Sequence, residues 1–305
     1  MLFKAKHKAR LDKLCSSFEG LDLSRVAFQK LIKDGHVRVN DRVTLIPHVH
    51  VKPGDEVSVQ IVPKKPEISS PPLSLKKLHE DDTFIAVEKP PLIRSENIIP
   101  EGSREELFLA HRLDKDTSGI LILAKGEENL RSLQKQWKER TVQKEYLALV
   151  KGSLPKKGRI EGAISRSSRN RQRMVISEGM RSKEAVTEFS TEKVYRADFT
   201  GFADAAEAVT FTLVRAKPLT GRTHQIRVHF SAIKHPIVGD NVYGDRKLNK
   251  KFEQLGLTGR LTRQFLHATK LSFVHPKTGK AFTIESPLPE DLKGVIKSLE
   301  AAKIA

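Results

Sequence analysis

The stretch that most restricts the fold is the apolar run Ile120-Leu121-Ile122-Leu123-Ala124. It is entered directly from the charged segment His111-Arg112-Leu113-Asp114-Lys115-Asp116-Thr117-Ser118-Gly119. A run of this length suits a buried strand and falls far short of a membrane span. Thr117, Ser118 and Gly119 are turn formers, so the charged segment reads as a loop mounted at the head of a core strand. Asp114 then stands just ahead of that strand, with Arg112 and Lys115 beside it.

The rest of the chain divides around this point. Residues 1–10 read as a basic tail. In residues 11–62, Leu11, Leu14 and Phe18 recur at helical spacing, and Ser24 caps a second helix from Arg25 to Lys33 that stops at Asp34-Gly35. Short strands follow: Val37 to Val39, a turn at Asn40-Asp41, Val43 to Val51, and Val57 to Ile61 after Pro53-Gly54-Asp55. Arg25, Lys30, Lys33, Arg38 and Arg42 can share one face of this unit, either as a solvated surface or as a binding surface. Residues 63–75, rich in Pro, Ser and Lys, form a semi-extended linker, which leaves 76–305 as the second domain. There, strands are expected at Thr83 to Val87, Lys144 to Val150, Ala185 to Val194, Ala208 to Arg215, Phe265 to Phe273 and Lys280 to Glu285. Helices are expected at Glu128 to Arg140 and Leu292 to Ile304. Strands outnumber helices and short turns join them, which predicts an α+β domain with a largely antiparallel sheet.

With 38% hydrophobic and 30% charged residues, the chain can bury a core and stay soluble. Its net charge of +18 points to a polyanionic partner, nucleic acid before an anionic membrane, since no basic amphipathic helix or lipidation motif is present. One cysteine, Cys15, excludes a disulfide framework and a cysteine-based zinc site, and no secretory signal is evident, so a cytoplasmic location is expected. No phosphate-binding glycine loop, His-Glu-x-x-His or His/Cys cluster occurs. The expectation is therefore a reaction with no metal and no nucleotide cofactor. Nothing in the sequence suggests an obligate oligomer, and a monomer is expected.

A second dense motif is Leu219-Thr220-Gly221-Arg222-Thr223-His224-Gln225-Ile226-Arg227-Val228-His229. Read as a strand, it sends Gln225 and Arg227 to one face, and Ile226 and Val228 to the other. A basic residue aimed at a buried carboxylate favours the charged form of that carboxylate. Tyr146, on its own strand, offers a phenol. From spacing alone each has an ordinary structural reading: an Asp near a turn caps, an Arg on a strand pairs at the surface, a Tyr packs.

Residues 11–62 resemble the ribosomal-protein-S-four-like RNA-binding module, through "RLDKLCSS…LSRVAFQKLIKDGHVRVNDRV…VKPGDEVSV". The resemblance implies RNA contacts by Arg25, Lys30, Lys33 and Arg38. Residues 76–305 resemble the catalytic domain of the RluA-type pseudouridine synthases. The motifs are "FIAVEKP", "HRLDKDTSGILILAK", "KEYLALV", "TGRTHQIRVHFSAIKHPIVGDNVYG" and "LHATKLSFVHPKTGKAFTIESPLP", in the family's order. This implies a mixed, largely antiparallel sheet with a central cleft, and isomerisation of uridine to pseudouridine in ribosomal or transfer RNA without a cofactor. By motif position, Asp114 matches the nucleophile, Tyr146 the active-site tyrosine, and Arg227 the basic residue paired with the aspartate. Arg112 matches the arginine that takes the place of the extruded nucleotide.

Further assignments follow from that frame. Leu121 and Ile226 are expected to wall the uracil pocket. Arg222, His224, Arg166, Arg169, Arg171 and Arg173 are expected on phosphates, with a solvated loop as the alternative for the last four. Asp116 is read as a turn cap for Thr117 and Ser118, not as the second carboxylate of a hydrolase acting on an acidic polymer. The chain departs from the family after Lys89-Pro90: the usual small residue, Gly and following His are replaced by Pro91-Leu92-Ile93-Arg94-Ser95. That departure is what supports the rival reading, a non-catalytic RNA-binding or ribosome-assembly factor.

Overall fold

The structure is a computed structural model that describes residues 2–18, 25–60, 75–99, 106–168, 170, 173–180, 182–197, 208–254 and 261–301. The chain forms two units, Met1–Pro71 and Pro72–Ala305.

In the first unit, β1 (Leu2–Lys4), β3 (Val37–Val39), β4 (Arg42–Val43) and β6 (Glu56–Val59) form an antiparallel sheet in the order β1-β6-β3-β4. A short pair, β2 (Ala9–Arg10) with β5 (His50–Val51), lies beside it in sequence. Residues 2–10 are therefore no tail. Phe3 stacks on Phe18 with ring centroids 4.4 Å apart, and Ala5 is buried, so the apolar residues among the lysines decide their placement. Leu11–Ser17 is a 3-10 helix rather than an α-helix, and α1 spans Arg25–Lys33. Gly35 ends α1 at φ +81°, and Asn40 and Asp41, both at positive φ, make the β3–β4 turn as expected. The expected strand from Val43 to Val51 survives only at its two ends. Ser24 and residues 61–74 lie outside the described residues.

The second unit is built on one large sheet. Its path runs from β12 (Lys157–Glu161) through β15 (Val186–Ala197), β16 (Val209–Pro218), β11 (Gln143–Lys151), β17 (Leu266–Val274), β10 (Ser118–Lys125) and β8 (Phe84–Lys89) to β7 (Lys76–Glu80). β18 (Ala281–Glu285) joins β17, and β9 (Leu107–Leu109) joins β10. A separate hairpin pairs β13 (Ile164–Arg166) with β14 (Met174–Ile176). This is an α+β fold with a mixed, largely antiparallel sheet, in agreement with the sequence reading. Its parallel seam lies between β10 and β17, where Ser118 faces His267 and Gly119 faces Ala268. The expected turn near Thr200-Gly201 lies outside the described residues.

β10 is covered on both sides, which explains its unbroken apolar run. Ile120, Ile122 and Ala124 enter one core cluster, together with Leu133 of α2 (Gly126–Lys138). Leu121 and Leu123 enter the opposite one. A third cluster gathers β11, β15 and β16 with α3 (Gln225–Ala232), α4 (Arg246–Gln254) and α5 (Glu290–Ala301).

Candidate active site

Site geometry follows from the register of three neighbouring strands. Gly119 of β10 and Tyr146 of β11 both lie opposite Ala268 of β17, the latter just past a bulge at Glu145/Tyr146. A Cβ on Gly119 would come within 2.3 Å of the Ala268 carbonyl oxygen, so glycine is what lets the seam close. The motif loop that ends at Ser118 is thereby brought level with Tyr146.

Six consecutive residues of that loop are each held by a different side chain. Ser95 Oγ accepts from Leu113 N and donates to Leu113 O, both at 3.0 Å. Arg227 Nη1 donates to Asp114 Oδ2 at 3.0 Å. Lys89 Nζ donates to Lys115 O at 2.9 Å, and Arg263 Nη1 to Asp116 O at 3.4 Å. Gln264 Nε2 donates to Thr117 Oγ1 at 3.1 Å, and Ser118 pairs with His267 Nδ1 at 2.8 Å. His267 Nε2 faces the Ser286 carbonyl and must donate to it, so Nδ1 accepts and the Ser118 hydroxyl donates. The Asp116 carboxylate caps neither Thr117 nor Ser118. The loop closes on itself through Thr117 N, which donates to Asp114 O at 3.1 Å, and is otherwise held by side chains from outside it.

Arg227 lies on α3, not on a strand. The alternation Gln-Ile-Arg-Val-His-Phe imitates a strand because the whole segment from Gln225 to Phe230 is buried. Its polar side chains are met one by one. Gln225 accepts from Thr220 Oγ1 and Arg222 N, and donates to Val186 O and Thr187 Oγ1. His229 pairs with Thr187 Oγ1 and the Gly162 carbonyl. His224, at φ +56°, turns the chain into the helix, and its Nδ1 pairs with the Tyr243 hydroxyl at 2.9 Å.

The centre is a carboxylate–guanidinium–carboxylate array. Arg227 donates through Nε and Nη2 to both oxygens of Asp240, at 2.7 and 3.0 Å, and through Nη1 to Asp114. The side chain of Asp240 is fully buried, that of Arg227 is 6% exposed, and that of Asp114 is 22% exposed. Asp240 Oδ1 also accepts from the backbone N–H groups of Val242 and Tyr243. Burial alone would lower the Arg227 pKa, but hydrogen bonds and charge from Asp240, then from Asp114, raise it above the usual arginine value. The Tyr243 ring lies 5.1 Å from the Arg227 guanidinium carbon and 5.4 Å from that of Arg173. Burial, then the nearby Asp114 charge, raises the Tyr146 pKa, so the phenol keeps its proton at neutral pH. Beside it, Lys144 shares a small recess with His111, Ile120 and Ala268. Burial, with Arg140 and Arg222 nearby, lowers the Lys144 pKa to about 8.

The remaining expected residues are distributed as follows. Leu121 is fully buried and Ile226 nearly so, one in each of the two core clusters that Tyr146 also packs against, so neither side chain opens onto a pocket surface. Arg112 is exposed and paired with Glu96. Arg222 donates to the Glu184 carbonyl, and Arg173 to that of Val242. Arg166, Lys33 and Arg38 are exposed, while Arg169, Arg171 and the side chains of Arg25 and Lys30 lie outside the described residues. Sequence reading missed Asp240, Lys89, Ser95, Arg263, Gln264 and His267. A usable signal existed for Asp240, an acid directly after a glycine inside a quoted motif. Among the described residues, no three His, Cys, Asp or Glu side chains are placed to hold a metal ion.

A model of the RNA pseudouridylate synthases matches residues 61–232, and an S4 domain matches residues 9–57. The chain belongs to the RNA pseudouridylate synthase family. This synthase is 35% identical over 300 residues to ribosomal large subunit pseudouridine synthase C of Escherichia coli, covering 90% of this chain and 88% of the bacterial protein. It is likewise 35% identical to the protein of that name from Pasteurella multocida, covering 90% and 85%. Among solved structures, it is similar to human RNA pseudouridylate synthase domain containing 1. That match has a TM-score of 0.55 and 27% identity, covering 76% of this chain and 96% of the human one. The synthase thus isomerises uridine in RNA. No helix among its described residues is long and apolar enough to cross a membrane.

Proposed function

We propose that this synthase acts on large-subunit ribosomal RNA, with Asp114 as the nucleophile, Arg227 as its positioning cation and Tyr146 as the ring against which the uracil packs. The observation that carries the reading is the 3.0 Å contact from Arg227, itself clamped by Asp240, to the one partly accessible carboxylate of the array. The target leaves its stack at a cost of roughly a few kcal/mol, and Arg112, exposed on the same loop, takes its place. Asp114 attacks the ribose or the base and forms a covalent bond while the bond from ribose carbon 1 to nitrogen 1 breaks. The freed uracil turns, carbon 5 bonds to the ribose, the bond to Asp114 breaks and returns the free carboxylate, the proton on carbon 5 passes to a base, and nitrogen 1 takes up a proton. Atoms and electrons balance with no redox partner. A Tyr146 phenol held neutral is a poor base, so its part is to pack and orient, and not to remove the carbon 5 proton.

The ribosomal target is supported by the names of the bacterial relatives. We assign RNA capture to Arg222, His224, Arg166, Arg173 and the S4 module, and place the protein in the cytoplasm as a monomer. The test is to map carbodiimide-reactive pseudouridines in large-subunit ribosomal RNA treated with wild type and Asp114→Asn. Sites made by the wild type alone support the assignment; sites made equally by the variant remove Asp114 as nucleophile.

A further inference from the structure

Arg112 is not free in the protein without RNA: its Nη2 meets Glu96 Oε1. The two segments that carry this pair are already fastened together. Ser95, beside Glu96, exchanges two hydrogen bonds with Leu113, beside Arg112. Lys89 Nζ, fully buried, gathers the carbonyls of Pro90, Ile93 and Lys115 at 2.7, 2.8 and 2.9 Å. Glu96 is thus a carboxylate delivered to the Arg112 guanidinium by a rigid frame. Within the frame, Leu92 turns the chain at φ +67° and Glu96 sits in the next turn.

A carboxylate here works against RNA binding in general. The protein carries a net charge of +18, yet a negative group stands beside an arginine whose side chain is 71% exposed. An unpaired guanidinium so exposed would take any phosphate offered. One already paired gives up its partner only for a better site, which is how a repulsive element produces selectivity.

We propose that Glu96 is a specificity-determining residue: it occupies Arg112 so that arbitrary RNA phosphates cannot, and yields it to RNA that opens a stacking place beside Asp114. This rests on the stacking role assigned to Arg112 above. Exposed ion pairs shift equilibria by about fivefold at most, enough to bias weak phosphate contacts and small beside those made by a flipped target.

The test uses the full chain as wild type, Glu96→Gln, Arg112→Gln and the double variant. Two measurements are made at one fixed salt concentration: affinity for a random-sequence RNA duplex by fluorescence anisotropy, and kcat and KM on large-subunit ribosomal RNA transcribed in vitro. Glu96→Gln is expected to tighten duplex binding about threefold, to move KM for the transcript by less than about twofold, and to have no effect once Arg112 is Gln. An equal gain in the Arg112→Gln background would reduce Glu96 to bulk electrostatics and overturn the proposal. So would no gain on the duplex, or an equal gain on both RNAs. Arg112→Gln with unchanged kcat would instead defeat the stacking role, and that result is read independently of duplex binding. Equal thermal midpoints show that the variants are folded.

Discussion

Arg227 is bound to Asp240 by two of its nitrogens before it reaches Asp114 with the third. The fork fixes the plane of the guanidinium, so Nη1 has one direction in which to donate. Asp240 therefore sets where the Asp114 carboxylate is held, although it is itself sealed from any substrate.

Asp240→Asn removes the charge and half of the fork while keeping the side chain's size. Burial would raise the Asp240 pKa, but the bonds and charge of Arg227 lower it, so the native group is an anion. Leaving a buried guanidinium short of one charge is expected to cost roughly 3 kcal/mol of stability. A fall in kcat larger than the change in KM is expected as well. Urea unfolding and steady-state kinetics check the two parts separately.

Gly119→Ala is expected to destabilise by at least about 2 kcal/mol and to lower kcat, because the new methyl meets the Ala268 backbone and the seam must open. Gly126→Ala, also at positive φ but with open space around it, should cost only about 1 kcal/mol and leave kcat alone. Calorimetry and rates of pseudouridine formation measure both.

Acid should unfold the protein through its buried neutral histidines. Burial lowers the pKa of His267 to about 4 and, with Lys144 adding to the effect, that of His111 to about 3. Below about pH 6.5 the unfolded chain binds protons that the folded one refuses, so stability falls as pH falls. Each histidine should cost roughly 2 kcal/mol between pH 7 and 5. Urea midpoints measured across that range check the slope, and His267→Gln should flatten it.

Alkali should separate activity from stability. Burial lowers the Lys89 pKa to about 8, with Asp116 and Asp114 acting in the opposite direction. Above that pH the amine no longer has three N–H groups for its three carbonyls, and the motif loop loosens, so kcat should fall. Stability should instead rise with pH there, because the unfolded chain holds this proton more tightly than the folded one. Lys144 titrates in the same range, so the pH–rate profile is measured in Lys144→Gln as well, where the alkaline fall should persist.

Elements whose burial is one-sided or complete and local are legible in the chain alone: the β10 run, the amphipathic α2, the Asn40-Asp41 turn and the Gly35 stop. The sequence also marks Asp114, Tyr146 and Arg227 as residues worth bringing together, through motifs that resemble a family. Where a segment is buried on every side, as from Gln225 to Phe230, apolar periodicity no longer reports the element, and a helix has the alternation of a strand. Tertiary packing alone shows that Asp240 clamps Arg227, that Leu121 and Ile226 are buried in separate core clusters, and that Glu96 holds Arg112. Those contacts join residues brought together by strand register and loop closure. Each depends on where a buried donor finds its acceptor in space, and spacing along the chain does not encode that.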